Sequence, residues 1–600
     1  MADEKNKGQA AGGARNPLLE VVFKNRGYDD GYIAEIDATE HGELHDVDRL
    51  VAELKTIHDA GEPITIYPDF DMDGIMSGTV LYAGLSELGF DAELYVPDPS
   101  LGYGIKPELI DDLMGKHPRT KAIITCDVGI TAIDGASRAR ERGIKFLVTD
   151  HHHQTPGELP DALAIVDPMR DDDPYEHPQI CGAFVAWQCL MAYARACCDE
   201  RTVGRINRLR VFSGIGTISD SMPLLYENRG IVRDMVFIEK WLYGDGTAEN
   251  ADKIPGCEPY RKAFRGLHLT LAALSDNGNI RNGADSVDEQ TVGFYIAPMF
   301  NAVKRMDGDM SRAFGVFFGD QQVSDIDYLI RLNEQRKRIV AAEFDRLPSR
   351  TYEDGGQERV RHVYVTDARP GVRGLLGNKV LSETAEPVFV LARTGEGFSG
   401  SGRTPEWFPA LTLLRDGAGF RLSGHESAFG ISIPAEIDGR PGDEAFEEIV
   451  SAMVDEMLAQ GIVVEGKPDF VLAYDAIDGV AGSGTRGSDV DWDAPLLLDF
   501  LGQTAELKPF GAGFPEPRGV LRVRFDPEDV QSIGRDGTHA KMHVNGIDVL
   551  CWGQYERFAS LPAGRPHACE LVGTLSLNEF KGNKTVSFTG DIAGIRAARR

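Results

Sequence analysis

The 600-residue sequence contains no run of about 18 apolar residues, so no segment is predicted to span a membrane. The first 16 residues are polar, rich in glycine, alanine and lysine, and lack the apolar centre of a secretory signal. They predict a disordered tail on a cytoplasmic protein. The 8 cysteines include no Cys-x-x-Cys pair that would hold zinc or cycle between redox states. Buried reduced thiols are therefore expected.

Basic residues are also scarce. The 63 Lys and Arg stand against 94 Asp and Glu, and the formal charge of −31 at first argues against a polyanionic substrate. The charge is unevenly distributed, however, because residues 501–600 contain 13 basic and 11 acidic residues. The C-terminal segment is therefore the part of the chain that repels phosphate least. A chain of this length is expected to form two to four domains.

One stretch, ITIYPDFDMDGIMS at residues 64–77, combines a β-branched run with three aspartates at alternate positions. In extended chain, residues two apart point the same way, so at least two of Asp69, Asp71 and Asp73 can converge. Gly74 then lets the backbone turn into an apolar helical segment. Hard carboxylate ligands favour Mg²⁺ or Mn²⁺. A solvated loop is the alternative, whereas an EF-hand fails because its twelfth position is Val80 instead of glutamate.

Five short apolar runs, separated in several places by helix-length segments, predict a parallel sheet. They are centred on residues 64–67, 93–96, 122–125, 145–149 and 162–166. Four of the five are followed by an aspartate, namely Asp69, Asp127, Asp150 and Asp167. Sites in such sheets form beyond the carboxyl ends of the strands, so a metal site is predicted at this edge. Asp220, in the small and apolar stretch GTISDSMPL, is either a further ligand or a helix cap.

These motifs resemble the DHH phosphoesterase superfamily and, within it, the RecJ family of single-strand DNA 5'-to-3' exonucleases. The resemblance rests on DFDMDG (69–74), CDVG (126–129), TDHH (149–152) and GTISDSMPL (216–224). Asn25-Arg26-Gly27 and the LNEQR stretch at 332–336 also fit the family. Further on, PMFNAVKR (298–305), GSGRT (400–404) and SGHESAFG (423–430) resemble a DHHA1 domain, and LKPFGAGFPEP (507–517) resembles the entry to the family's OB-fold.

The resemblance implies two α/β lobes joined by a long helix, followed by a C-terminal β-barrel of the OB-fold type. The expected boundaries are a tail at 1–16, a DHH phosphoesterase domain with a helical N-terminal segment and a helical insertion at 17–318, a connecting helix at 319–347, a DHHA1 domain at 348–470, a linker at 471–495 and the OB-fold at 496–595. Alternating runs between residues 519 and 589 independently indicate a small barrel, in which Lys541, Phe580, Lys581 and Lys584 are candidates for nucleic-acid contacts.

The resemblance also implies a site that holds two divalent ions, Mn²⁺ or Mg²⁺. Its metal ligands would be Asp69, Asp71, Asp73, Asp127, His151 and Asp220, with Asp127 bridging the ions. Asp127, Asp150 and His152 would be catalytic: Asp150 would orient the ring of the adjacent, metal-binding histidine and His152 would meet the scissile phosphate. The 5'-end and substrate contacts would come from Asn301, Arg305, Ser401, Arg403 and His425.

The implied activity is metal-dependent 5'-to-3' hydrolysis of single-stranded DNA to mononucleotides, in DNA repair and recombination. The expected partners are single-stranded DNA, a helicase and a single-strand-binding protein, for a cytoplasmic monomer. A phosphodiesterase of short oligoribonucleotides or cyclic dinucleotides and an inactive DNA-binding scaffold are the alternatives. Four positions depart from the family pattern: Val303-Lys304 replaces Ala-Gly, Asp167 replaces Asn, and Phe514 replaces Asn.

Overall fold

Two compact units make up the chain in the computed structural model. One consists of residues 40–222 and 230–465, and the other of residues 1–39, 223–229 and 466–600. The structure describes residues 15–39, 42–96, 102, 104–243, 254–278, 287–414, 419–460, 468–475, 492–534, 536–580 and 583–597. Within this described part of the chain, every helix is too short or too polar to cross a bilayer.

The chain begins with three helices. They are α1 (Pro17–Arg26), α2 (Asp30–Ile36) and α3 (Val47–Asp59). Helix α1 starts behind Asn16, whose side chain accepts a hydrogen bond from Leu18 N, and ends at Gly27, which adopts a φ of 71°. Asparagine before a helix and glycine after it satisfy the free backbone groups at the two ends.

The first sheet contains five parallel strands in the order β2-β1-β3-β4-β5. The strands are β1 (Ile64–Pro68), β2 (Ala92–Leu94), β3 (Ala122–Cys126), β4 (Lys145–Thr149) and β5 (Ala164–Val166). Helices α4 (Met72–Glu87), α5 (Pro107–Lys116) and α6 (Ile133–Glu141) connect them. All residues of β1 and β3 are buried. The direction of the strand order reverses between β1 and β3, which are neighbours in the sheet. The loops that follow these two strands therefore lie side by side.

A helical region follows. It contains α7 (Gly182–Cys197), α8 (Glu200–Arg208), α9 (Arg210–Ser219), α10 (Tyr226–Tyr243), α11 (Glu258–Asp276), α12 (Glu289–Thr291), a π-helical turn (Val292–Ile296), α13 (Ala297–Arg305), α14 (Met310–Phe318) and α15 (Gln322–Arg346). Helix α15 lies within the segment that was expected to be the connecting helix.

The second lobe carries a mixed sheet in the order β11-β12-β10-β9-β8, in which only β8 and β9 are parallel. Its elements are β6 (Thr351–Asp354), β7 (Gln357–Val360), β8 (Val363–Val365), α16 (Pro370–Thr384), β9 (Val388–Thr394), β10 (Gly397–Arg403), α17 (Ala410–Leu414), β11 (Arg421–His425), β12 (Ala428–Pro434), β13 (Glu436–Ile437), β14 (Arg440–Pro441) and α18 (Gly442–Ala459).

The C-terminal sheet has seven strands in the order β15-β16-β20-β21-β19-β18-β17. Its elements are β15 (Phe470–Asp475), α19 (Ala494–Glu506), β16 (Gly519–Phe525), β17 (Gln531–Ile533), β18 (His539–Val544), β19 (Ile547–Cys551), α20 (Tyr555–Ala559), β20 (His567–Phe580) and β21 (Asn583–Ala597). Inward residues of these strands alternate with exposed ones, as in β18, and form one apolar core.

Three boundaries differ from the expected ones. Arg15 and Asn16 were assigned to the tail, but Asn16 donates to Leu496 O and Asp499, so ordered structure starts there; residues 1–14 lie outside the described part. The linker was expected from residue 471, yet β15 pairs with β16 through Asp475. Helix α1 was expected to belong to the DHH domain, but its apolar face joins the core of the C-terminal sheet.

Candidate metal centre and phosphate pocket

The loop after β1 bends sharply into α4. Asp71 is the N-cap of this helix, and its Oδ1 accepts hydrogen bonds from Asp73 N at 3.0 Å and Gly74 N at 3.2 Å. A Cβ at Gly74 would collide with the backbone of Asp69, so this turn requires glycine. The three aspartates therefore converge through a turn into a helix, and not through the extended chain that the alternate spacing suggested.

Asp73 lies in the first turn of α4 with its side chain buried. Its carboxylate accepts hydrogen bonds from Gly182 N at 2.6 Å and Ala183 N at 3.2 Å, the first two residues of α7. A helix N-terminus carries partial positive charge, so this contact favours the ionised carboxylate. Even so, the pKa of Asp73 is raised to about 6, because burial and the charge of Asp71 outweigh the hydrogen bonds.

Asp127 follows β3 in a left-handed conformation with a φ of 60°. A non-glycine residue in this region costs roughly 1–2 kcal/mol, so the surrounding fold must hold it there. Its buried Oδ1 has no hydrogen-bond partner and lies 3.0 Å from His151 Nε2. Burial and the neighbouring carboxylates raise the pKa of Asp127 well above its usual value.

His151 follows β4 and faces three carboxylates. Its Nε2 lies 3.0 Å from Asp127 Oδ1, 3.7 Å from Asp220 Oδ2 and 3.8 Å from Asp73 Oδ2. Burial and the neighbouring His152 lower the pKa of His151 to about 4, so its ring is neutral at physiological pH. A neutral imidazole nitrogen has a lone pair available for a metal ion.

Asp150 forms a hydrogen bond with the ring of His152, and not with the ring of His151 as expected. Its Oδ1 accepts from His151 N at 2.8 Å and pairs with the ring Nδ1 of His152, also at 2.8 Å, while its Oδ2 accepts from Ile130 N. Burial alone would lower the pKa of His152, but the hydrogen bond and charge of Asp150 raise it to about 10. Asp150 was expected to orient the ring of His151, but its hydrogen bond to that residue goes to the backbone. His153 is exposed.

The candidate ligand atoms form three overlapping groups whose members lie within 4.8 Å of one another: Asp69-Asp71-Asp127, Asp73-His151-Asp220 and Asp127-His151-His152. All six expected metal ligands belong to them. The first two groups share no residue, and the short distance between Asp127 and His151 links them. This arrangement offers two adjacent cation positions.

The acidic cluster has the charge that a site for divalent cations requires. Burial first, and then repulsion between neighbouring carboxylates, raises the pKa of Asp69 to about 7 and that of Asp220 to about 8. Together with the unpartnered Asp127 Oδ1, they form a buried acidic cluster that is short of positive charge. Carboxylate oxygens with one imidazole suit Mn²⁺ and Mg²⁺, so the residues fit the expected ions.

Asp167, after β5, is buried beside Asp150 and carries an unpartnered Oδ2. Burial and the charge of Asp150 raise the pKa of Asp167 to about 8. It lies outside the three ligand groups. Asp220 directly follows the last residue of α9, so it also has the helix-end position that was the alternative to a ligand.

Three arginines meet between the two lobes of the larger unit. Burial first, and then the neighbouring charges of Arg336 and Arg403, lower the pKa of Arg305 to about 10. Arg336 is 9% exposed, and its Nε has no hydrogen-bond partner. Arg403 Nη1 donates to Gly402 O at 2.7 Å. Such a group of largely buried cations fits a doubly charged phosphate.

Sequence reasoning missed Arg336, although the LNEQR stretch that contains it had been singled out. Ser401 lies two residues before Arg403 on β10, so both side chains point to the same face of the sheet. Asn301 Oδ1 accepts a hydrogen bond from Met72 N at 3.0 Å and so holds the start of α4, while its contact with substrate stays a prediction.

The other predicted contact residues are less informative. His425 ends β11, but its side chain lies outside the described part, as do the side chain of Phe580 and all of Lys581. Lys541 donates to Asp548 at 2.8 Å, so part of its charge is already compensated. Lys584 is exposed on β21.

Two segments of the chain match known protein families. Residues 63–207 match the model of the DHH family, N-terminal domain, and residues 494–590 match the model of the RecJ OB domain. The single-stranded-DNA-specific exonuclease RecJ of Salmonella typhimurium is 27% identical over 96% of this chain and 95% of its own length. The chain resembles the RecJ family over nearly its whole length. Its acidic cluster and its C-terminal sheet lie largely in the two parts that the models match.

A second relative and a solved structure also match most of the chain. RecJ of Bacillus subtilis is 27% identical over 95% of this chain. The chain spans 66% of the length of that relative. The crystal structure of RecJ with Mn²⁺ from Thermus thermophilus superposes with a TM-score of 0.65 at 23% identity and covers 98% of this chain and 76% of its own. At this identity the superposition shows the shared fold.

Proposed function

We propose that this protein is a metal-dependent exonuclease of the RecJ family that degrades single-stranded DNA from the 5' end and releases mononucleotides. One observation carries the proposal: two groups of acidic ligands, joined through Asp127 and His151, lie in the same unit as a cluster of three largely buried arginines. The printed names of the relatives, single-stranded-DNA-specific exonucleases, support the choice of substrate.

Each residue receives a role from its surroundings. Asp69, Asp71, Asp73, Asp127, His151 and Asp220 would hold two divalent ions, which would supply charge relief at the phosphoryl oxygens and lower the pKa of the attacking water. His152 carries a proton at neutral pH because its pKa is raised to about 10 by Asp150. It therefore donates a hydrogen bond to an oxygen of the scissile phosphate and does not act as the general base.

The arginine cluster would determine direction. Arg305, Arg336 and Arg403, with the hydroxyl of Ser401, would bind the terminal 5'-phosphate, because guanidinium groups form paired hydrogen bonds with phosphate oxygens. Fixing the terminal phosphate places the first phosphodiester of the strand at the metal centre. Cleavage there releases one nucleotide and leaves a new 5'-phosphate for the next cycle.

The experiment compares digestion of 5'-labelled and 3'-labelled single strands with Mn²⁺, Mg²⁺ or EDTA. The 5' label should appear at once as a mononucleotide, the 3' label should persist in shortening strands, and EDTA should stop both reactions. Asp71→Ala and Asp127→Ala should lose at least about a thousandfold in kcat because each removes a ligand. Asp345→Ala, an exposed acid on α15, is the matched control.

Three outcomes would contradict the proposal. Full activity in Asp71→Ala or Asp127→Ala would remove the metal site, and cleavage restricted to dinucleotides would favour the phosphodiesterase of short substrates. Binding of DNA without any metal-dependent release would favour the inactive scaffold.

We further propose the domain limits and partners that the family implies. The DHH lobe would end near residue 318 and the DHHA1 lobe would begin near 348. The enzyme would act as a cytoplasmic monomer with a helicase and a single-strand-binding protein. Light scattering of the purified chain tests the monomer, and affinity capture from cells tests the partners.

A further inference from the structure

Lys304 lies on the last turn of α13, at the loop that carries the first acidic ligands. Its Nζ is 4.6 Å from the centre of the Phe70 ring, and Phe70 stands between Asp69 and Asp71. One turn earlier, Asn301 accepts the hydrogen bond from Met72 N. These two contacts hold the end of α13 over the loop that follows β1.

The Lys304 side chain is exposed, whereas the Phe70 ring beneath it is 9% exposed. A cation above an aromatic face gains about 0.5–1 kcal/mol at an exposed site. The ring carries no net charge, so this contact positions the ammonium group without itself cancelling the charge. A surface cation beside the acidic loop therefore has a defined place.

The charge of Lys304 acts on the acidic cluster, since it opposes the effects of burial and of Asp71 on the pKa of Asp69. The next residue, Arg305, belongs to the arginine cluster with Arg336 and Arg403. The end of α13 therefore contributes a cation near the ligand group Asp69-Asp71-Asp127 and a second cation to the proposed 5'-phosphate pocket.

We propose that Lys304 binds the internal phosphate of the strand at the metal centre, next to the terminal phosphate that Arg305 would bind. This inference rests on the proposed function and assigns a substrate contact to this side chain. An ammonium group is a compact point charge that donates hydrogen bonds to phosphate oxygens lying in many directions. Such a contact suits a phosphate that must move on after each cleavage better than a planar, two-pronged guanidinium would.

The test uses the full chain with Mn²⁺ and compares wild type, Lys304→Met and Lys304→Arg. Methionine keeps an unbranched stem on Phe70 but removes the charge, so KM for a single-stranded oligonucleotide should rise by about three- to tenfold. The slope of log KM against log salt concentration should fall by about 0.7, the value for one lost phosphate contact on a single strand. Lys304→Arg should restore most of both properties.

Lys337→Met is the matched control. Lys337 is an exposed lysine on α15 that pairs with Glu334 at 2.8 Å, and its replacement should leave KM and the salt slope unchanged. Thermal melting of each variant separates loss of fold from loss of contact. A changed melting temperature with an unchanged salt slope would show that Lys304 only packs on Phe70, and it would overturn the inference.

A second substrate pair locates the contact. Lys304→Met should lose the same factor on 5'-phosphorylated and 5'-hydroxyl strands, since the assigned phosphate is internal. A loss confined to 5'-phosphorylated strands would assign Lys304 to the terminal pocket and overturn the inference. If wild type digests neither strand, the proposed function itself fails. If wild type digests DNA and Lys304→Met has the same KM and salt slope, only the inference about Lys304 fails.

Discussion

Each carboxylate in the acidic cluster whose pKa is raised is destabilised in its charged form when no metal is bound. Asp69 and Asp220 have pKa values raised to about 7 and about 8, first by burial and then by their neighbours. The hydrogen bonds from the start of α7 to Asp73 offset only part of this effect. A divalent cation would reverse the balance, because it favours the ionised form of every ligand.

The metal-free protein should lose stability as pH rises from about 6.5 to about 8.5. A carboxyl whose pKa is raised by folding binds its proton more tightly in the folded state, so its contribution to stability is present at low pH and is lost through the folded pKa. His152, whose pKa is raised to about 10, acts in the same direction, because above about pH 6.5 its folded form keeps a proton that the unfolded form loses.

The measurement is the melting temperature in EDTA and in Mn²⁺ at several pH values. The midpoint in EDTA should fall with pH, by about 2–4 °C for each kcal/mol lost, whereas the stabilisation by Mn²⁺ should grow as the ligands ionise. The double variant Asp69→Asn, Asp220→Asn should show a smaller pH dependence in EDTA. A midpoint in EDTA that rises over this range would contradict the assigned pKa shifts.

At this scale the sequence predicts which residues meet better than it predicts how they pair. Asp69, Asp127 and His151 gather because residues that follow neighbouring parallel strands share one edge of the sheet, and Asp71, Asp73 and Asp220 join them from the ends of helices. The partner of Asp150 could not be predicted, because His151 and His152 both follow it closely and only the turn after β4 decides between their rings. Arg336 was missed because nothing in a helical pattern shows which face meets Arg305.

Helix α16 supports the arginine cluster through two glycines in its first turns. A Cβ at Gly371 would collide with the backbone of Arg305, and a Cβ at Gly374 would collide with Nη2 of Arg403. The helix can therefore approach both arginines only because side chains are missing at these positions. Its N-terminal end adds partial positive charge to the same region.

Gly374→Ala should displace the guanidinium of Arg403 and weaken recognition of the 5' end. We expect KM for a 5'-phosphorylated strand to rise about tenfold, equivalent to about 1.4 kcal/mol, with a smaller change for a 5'-hydroxyl strand. Steady-state kinetics on the two strands measure the preference directly. Gly115→Ala on α5, where a Cβ meets nothing within 4 Å, is the control. Equal losses on both strands would show that α16 does not act through the terminal phosphate.

Elements with a strong local pattern were predictable. The buried runs that became β1, β3 and β4 consist mostly of apolar residues because both faces of the sheet are covered. Strand β15 was placed in the linker instead, since its pairing partner β16 lies 49 residues further along the chain, as Phe470 opposite Gly519 shows. A strand that depends on a distant partner carries little local information about its limits.

At the scale of the molecule, the N-terminal helix and the C-terminal sheet form one unit. Leu18, Leu19, Val22 and Phe23 of α1 are buried in the same core as Phe470, Leu497, Phe500 and Leu521. Asn25 and Arg26 reinforce this packing, since both donate to Asp469, which precedes β15. No local pattern in α1 could show that the partner of its buried face lies more than about 440 residues away.

This packing predicts that Leu18→Ala destabilises the C-terminal unit selectively. Leu18 is fully buried, and removing such a side chain costs about 2–5 kcal/mol because the lost contacts leave a cavity. Hydrogen exchange should therefore quicken in β16 and β20, while β1 and β3 keep their protection, since they lie in the other unit. Leu458→Ala, at a leucine that is 47% exposed on α18, is the control. Faster exchange in β1 and β3 alone would mean that α1 belongs to the DHH domain, as its sequence position had suggested.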